Sequence, residues 1–311
     1  SQGDSRMLPA SNPAAIATAI QTERFPGQTG TPIEIITFDG ADKVDTLNEY
    51  ANRISQVPGI VGVVPPQVIG EDVRIVAYQS MLPRTPESQK LIHDLRDVKA
   101  PTGTLIGGVA ADYTDSQDGI SRTLPWAFGW IAISVLLLVF VFTGSIILPI
   151  KAVLLNVLSL AATMGVLTWV FIDGNLQWLV GSFTVTGSLD TSIVILIAVV
   201  VFGLSMDYEL FLLSRIREEH LEGRSNVESV ATGLQRSARI ITAAAVLLAV
   251  VFAAFVTSGV TSIKTMGFGV ALAVLLDATL IRALLVPALM RLMGERNWWA
   301  PKSLQRFTLK H

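Results

Sequence analysis

Five apolar runs dominate the later part of this 311-residue chain, at residues 126–148, 150–172, 191–213, 240–257 and 266–292. Each is near or above the roughly 20 residues that a helix needs to cross a bilayer. Lipid offers no partners to a backbone N–H or C=O, so such segments must satisfy their hydrogen bonds internally, as helices. The runs therefore predict an α-helical polytopic membrane protein with five transmembrane helices. Composition agrees: 51% of residues are hydrophobic, 15% are charged and mean hydropathy is +0.54. This balance argues against a soluble enzyme or a disordered chain, and a net charge of -2 argues against a nucleic-acid partner. The absence of cysteine excludes disulfides, Cys-based zinc sites and thiol nucleophiles. The three histidines, His93, His220 and His311, share no metal-ligand spacing.

Charge divides the chain in two. Residues 1–125 hold 10 basic and 15 acidic side chains, and the remainder holds 13 and 10. Within the polar part, strand patterns at 32–38, 59–64, 73–80 and 104–110 alternate with helix patterns at 42–54 and 86–98. The order is β-α-β-β-α-β, which predicts an α+β ferredoxin-like domain. A further helix is expected from Asn12 to about Arg24, with Ser11 or Asn12 as its N-cap. The expected organisation is an extracytoplasmic domain at 1–122, a transmembrane bundle at 123–293 and a cytoplasmic tail at 294–311.

Basic residues orient the bundle. Arg215, Arg217, Arg224, Arg236 and Arg239 cluster between the third and fourth runs. Arg291, Arg296, Lys302, Arg306 and Lys310 cluster after the fifth, whereas residues 173–190 contain no Lys or Arg. By the positive-inside rule the Arg-rich loop and the tail face the cytoplasm, and the polar domain lies outside. Lys151 agrees with this assignment and Lys264 dissents from it. Trp126, Trp130, Trp169 and Trp178 suit the outer interface, and Trp298 and Trp299 the inner one. An exported amino-terminal domain requires an upstream signal or helix, so the expectation is that a preceding part of the polypeptide exists.

Few charges interrupt the apolar runs. The third contains Asp207, Tyr208 and Glu209, and the fifth contains Asp277 and Arg282. Intramembrane ionisable groups are costly and mark relays or transport paths, which makes Asp207 the leading functional candidate. Tyr208 can bond a carboxyl on a facing helix, though not readily its own neighbour. Asp277 and Arg282 are five residues apart, about 140° around an α-helix, so each is expected to pair across helices rather than with the other. Glu209 falls on a different face from Asp207 and suits a structural or solvated role. Gly203 and Ser205 suit close helix packing. Residues 225–240 read as an amphipathic connecting helix on the cytoplasmic surface.

Together these residues resemble a known family. GLSMDYELFLLSRIREEH (203–220), DATLIRALLVPALM (277–290), NWWAP (297–301) and the early RMLPASNPAA and FPG segments are similar to the MMPL (mycobacterial membrane protein large) family of the resistance-nodulation-division (RND) transporter superfamily. The resemblance implies twelve helices in two similar halves, of which this chain matches the second, without its first helix. It also implies that Asp207 and Tyr208 form a proton relay with an equivalent Asp-Tyr helix in the other half. The implied activity is proton-motive-force-driven export of lipids or glycolipids across the bacterial inner membrane. Protons are the coupling ion, and neither cofactor nor metal is needed. Membrane lipids and the other half are the implied partners, while oligomeric state stays open. RND-type drug or siderophore efflux is the near alternative. An intramembrane aspartyl protease using Asp207 and Asp277 is the distant one, disfavoured because the Gly-x-Gly-Asp pattern is absent.

Overall fold

In the computed structural model, the described residues are 8–9, 11–24, 32–185 and 189–301. The FPG segment, Lys302, Arg306, Lys310 and His311 lie outside them. The chain divides into two compact units, one of residues 16–128 and one of 1–15 with 129–311.

The first unit follows the strand and helix order read from the sequence. Strand β1 (Ile33–Thr37), helix α2 (Val44–Ser55), hairpin strands β2 (Ile60–Ile69) and β3 (Asp72–Gln79), helix α3 (Pro86–Asp97) and β4 (Thr104–Gly107) succeed one another, after helix α1 (Pro13–Arg24). The sheet is antiparallel with order β2-β3-β1-β4, the arrangement of a ferredoxin-like domain. Alternation along β1 sends Ile33, Ile35 and Thr37 inward, and the two isoleucines join Leu47, Tyr50 and Ile54 of α2 and Leu91, Ile92 and Leu95 of α3 in one core. Thr85 starts α3 by accepting the Ser88 N–H, with Pro86 in the first turn. Gly108 links β4 to the next helix at φ +99°, and a Cβ there would lie 2.6 Å from the Pro32 carbonyl oxygen. Only glycine fits that turn without strain.

Helix α4 (Val109–Thr143) begins in this unit and enters the second at Gly129. There follow α5 (Ile147–Phe171), the short α6 (Gln177–Val180), α7 (Thr191–Leu221), α8 (Asn226–Phe255) and α9 (Thr261–Leu276). The last helix continues through a π-helical stretch (Asp277–Leu285) into α10 (Val286–Met293) and a final 3-10 turn (Gly294–Trp298). Five of these helical segments are long and apolar enough to cross a membrane. Gly144, at φ +70°, makes the tight hairpin between α4 and α5.

One expectation needs correction. Residues 225–240 do not form a separate surface helix but the opening turns of α8. Ser225 and Glu228 form a reciprocal capping box that sets the start, and neither Gly nor Pro occurs at residues 234–255 to break the helix. Helix α7 likewise runs on through its charged residues until Gly223, at φ +89°. The two helices meet closely at Gly233, where a Cβ would lie 2.7 Å from the Ile216 side chain.

Candidate functional site

Helix α7 presents its polar residues to opposite sides. Ser205 and Glu209 are one turn apart and buried, whereas Asp207, about 200° around the helix from Ser205, is exposed. Asp207 continues an exposed stripe of Leu196, Val199 and Gly203, at steps of three and four. A Cβ added at Gly203 would meet nothing within 4 Å, so among the described residues no helix packs against it. Tyr208 lies between the two faces, half-buried.

The buried side is a connected polar network. Arg282 Nε donates to Asp277 Oδ2 at 2.6 Å, and both side chains are almost wholly buried. This corrects the expectation that the two would not pair. The 140° separation holds for an α-helix, but Asp277–Leu285 is π-helical, and its wider turns with i→i+5 bonding bring residue i+5 much closer to the face of residue i. Arg282 Nη2 also donates to the Ser205 backbone carbonyl and lies 3.2 Å from Ser205 Oγ. The Ser205 hydroxyl has one proton for two acceptors, Asp277 Oδ1 at 2.9 Å and Asn156 Oδ1 of α5. Asn156 Nδ2 in turn donates to Glu209 Oε2 at 3.4 Å. The Arg282 guanidinium lies 5.3 Å from the centre of the Tyr208 ring, within cation–π range. One buried guanidinium therefore touches Asp277, Ser205 and Tyr208, and ties α7 to the π-helical stretch.

Glu209 is thus a buried member of this network, not a solvated group. The sequence reading missed Asn156 altogether and used Lys151 only for topology. Lys151, Asn156, Ser159 and Thr163 are all buried on α5, and the steps of three and four from Asn156 to Ser159 and Thr163 were a legible signal of a polar face. Asp207 and Asp277 form no dyad. Both Asp277 oxygens are engaged, by Arg282 and by Ser205, and no hydrogen bond joins the two acids among the described residues.

At the Arg-rich end a second network holds the helix termini together. Buried Glu219 meets Arg224 at 2.6 Å and also pairs with Arg236. His220 stacks on Trp298 with ring centres 4.2 Å apart, and Trp298 Nε1 donates to Asn226 Oδ1. Asn226 and Asn297 both donate to the Met290 carbonyl, at 2.9 and 2.7 Å. The NWWAP residues are therefore a fastening between the end of α10 and the α7–α8 turn. Lys264 is spoken for elsewhere: its ammonium donates to the Val180 and Ser182 carbonyls. A lysine so held fastens a loop, which weakens its dissent over topology.

Comparison with known proteins completes the description. The family model for the MMPL family matches residues 6–308. The chain is 38% identical to a membrane protein of Streptomyces coelicolor over 98% of its length, which is 42% of that protein. It is 35% identical to the trehalose monomycolate exporter MmpL3 of Mycobacterium tuberculosis, over 97% of this chain and 33% of the relative. It is also 35% identical to the mycolic acid-containing lipids exporter MmpL11 of Mycolicibacterium smegmatis, over 90% of this chain and 31% of the relative. The chain thus spans about a third to two fifths of the length of these relatives.

Proposed function

The chain belongs to the MMPL family, and from that premise we propose that it acts as the carboxyl-terminal half of a transporter that uses the proton gradient to export lipids or glycolipids. The observation that carries the proposal is the position of Asp207, a carboxyl exposed on the outward stripe of an apolar helix, beside a tyrosine that the buried Arg282 holds from behind. A charged residue at the centre of a membrane helix costs about 2.5–3.5 kcal/mol on insertion scales. A covering element is therefore required, and the other half of a two-half transporter would supply one. Its helix would lie on the Leu196–Val199–Gly203–Asp207 stripe, where the missing side chain at Gly203 leaves room for close approach.

In this reading, a proton bound at Asp207 removes a charge from the interface between halves. The loss of charge changes the pull on Tyr208 and on the partner helix, and the two halves shift relative to one another. One charge moving through 100 mV supplies about 2.3 kcal/mol, enough to bias a two-state rearrangement. In this reading the bundle lies in the bacterial inner membrane with residues 1–122 outside and the carboxyl terminus in the cytoplasm. Arginines on one side of the bundle and none at residues 173–190 support that orientation.

The test uses the complete parent protein in proteoliposomes containing a fluorescently labelled glycolipid, with a proton gradient imposed. Asp207→Asn should abolish gradient-driven lipid movement while leaving thermal unfolding in detergent unchanged. Equal lipid movement in the variant and the wild type would refute the relay.

A further inference from the structure

Four buried polar atoms around the Asn156–Ser205 link have no hydrogen-bond partner among the described residues: Lys151 Nζ, Ser159 Oγ, Glu209 Oε1 and Arg282 Nη1. Their neighbours are satisfied. Thr163 donates to the Ser159 carbonyl, and Asp277 is doubly bonded. An unpaired buried polar atom is costly, and more so when it is charged. Folding tolerates that cost most readily where partners must change during function.

The charges narrow the choice of what could change. Glu209 is faced by Lys151 and Asn156 from α5, and by Asp277 and Arg282 from the π-helical stretch; Asp207 and Tyr208 adjoin it on α7. From α9 the one charged residue, Lys264, is occupied with carbonyls, and from α8 Arg236 pairs with Glu219. Two positive and two negative side chains therefore share the interior, and Asp277 with Arg282 already forms one closed pair. The other two, Lys151 and Glu209, act on each other electrostatically but do not bond. An inorganic cation entering here would meet two fixed positive charges. A proton feels the same charges but needs no coordination shell, because it bonds to a Glu209 oxygen and neutralises that carboxylate.

The geometry also has a direction. Along α7, Glu209 lies about 6 Å beyond Ser205 toward the Arg-rich end. Lys151, the fifth residue of α5, lies toward that same end, because the α4–α5 hairpin is bonded there through Ser145 to the Asn297 carbonyl.

We propose that Glu209 is a second proton-carrying carboxyl, placed between the Asp207–Tyr208 region and the cytoplasm, with Lys151 as the positioning residue that drives its release of the proton. The inference rests on the reading of the chain as a proton-driven transporter. The Glu209 carboxylate takes up one proton from the outer side and becomes a carboxylic acid. When the Lys151 ammonium closes on it, the carboxylate re-forms and the proton leaves toward the cytoplasm. Lys151 keeps its own proton throughout.

The experiment uses the complete parent transporter in the same labelled-glycolipid proteoliposomes and compares wild type, Asp207→Asn, Glu209→Gln, and Lys151→Met with Glu209→Gln combined. The double variant removes both unpaired charges, so its unfolding temperature should match wild type even if Glu209→Gln alone is destabilised. Its gradient-driven lipid movement should nonetheless fall at least about tenfold. Lys151→Met alone should displace the pH profile of transport by about one unit toward higher pH, and Lys151→Arg should restore it. If wild type is coupled, Asp207→Asn is not, and the double variant transports like wild type, then this proposal fails and the pair is structural. An unchanged profile in Lys151→Met overturns it equally, whether or not the double variant folds. If wild type moves no lipid under the gradient, the transport reading itself has failed and takes this proposal with it.

Discussion

The two units use the same chemical pair in opposite ways. In the sheet unit, Arg74 of β3 meets Glu34 of β1 at 2.7 Å, with side chains 42% and 29% exposed. In the helical unit, Arg282 meets Asp277 at 2.6 Å with 3% and 6% exposed. The distances are nearly equal, so bond length cannot separate their roles. Solvation does. Water competes for the first pair and screens it, and each partner keeps good alternatives when the other is lost. The second pair has no such alternative, and loss of one partner strands the other in an apolar interior. A short contact thus says little until the surroundings are counted.

The largest expected effect comes from breaking the buried pair on one side only. Arg282→Met leaves Asp277 with a single hydrogen bond, from Ser205, and should destabilise the bundle by about 3–5 kcal/mol. Combining Arg282→Met with Asp277→Leu should recover most of that loss, because no charge is then left unpaired. Thermal unfolding in detergent measures both. The comparison between the units breaks if the single variant unfolds like wild type, since the buried pair would then behave like the exposed one.

The contrast also separates what the sequence could reveal from what it could not. The ferredoxin-like order was legible because strand alternation and helix period are local: Ile33 and Ile35 point inward for the same reason that Glu34 does not. The spans were legible because apolar length is local too. The Asp277–Arg282 pair was not, because it depends on a change of helix type at Asp277 that no residue spacing announces. Glu209 was misjudged for a related reason. Its burial is decided by α5, where Asn156 and Lys151 lie more than 50 residues away, and only the packing of α5 beside α7 brings them to it. The placement of Asp207 on an outward stripe required the fold of the whole bundle.

An intermediate effect is expected at the start of α8. Ser225→Ala removes the hydroxyl that accepts the Glu228 N–H and donates to the Glu228 carboxylate. Loss of an N-cap of this kind costs about 1 kcal/mol. Because α8 is one continuous helix, the loss should register as faster amide exchange at residues 226–232 without change at residues 240–255. Uniformly faster exchange along the helix would mean that the amphipathic start and the apolar span unfold as one unit.

The smallest effect belongs to the exposed pair, and pH exposes it best. The hydrogen bond from Arg74, helped by its charge, holds the Glu34 carboxyl below its ordinary value of 4.5, while partial burial opposes the shift. A carboxyl with a lowered value in the folded state stabilises that state above its unfolded value, and the contribution disappears as pH falls through the lowered value. In Glu34→Gln, amide exchange across β1 and β3 should therefore be slightly faster than wild type at pH 7. The difference should shrink as pH drops below about 4.5, and about 1 M salt should weaken it without removing it, because the 2.7 Å contact lies inside the screening length of about 3 Å. A difference that persists in acid would show that Glu34 acts by packing on Arg74 rather than by charge, and the two pairs would then differ in kind as well as in solvation.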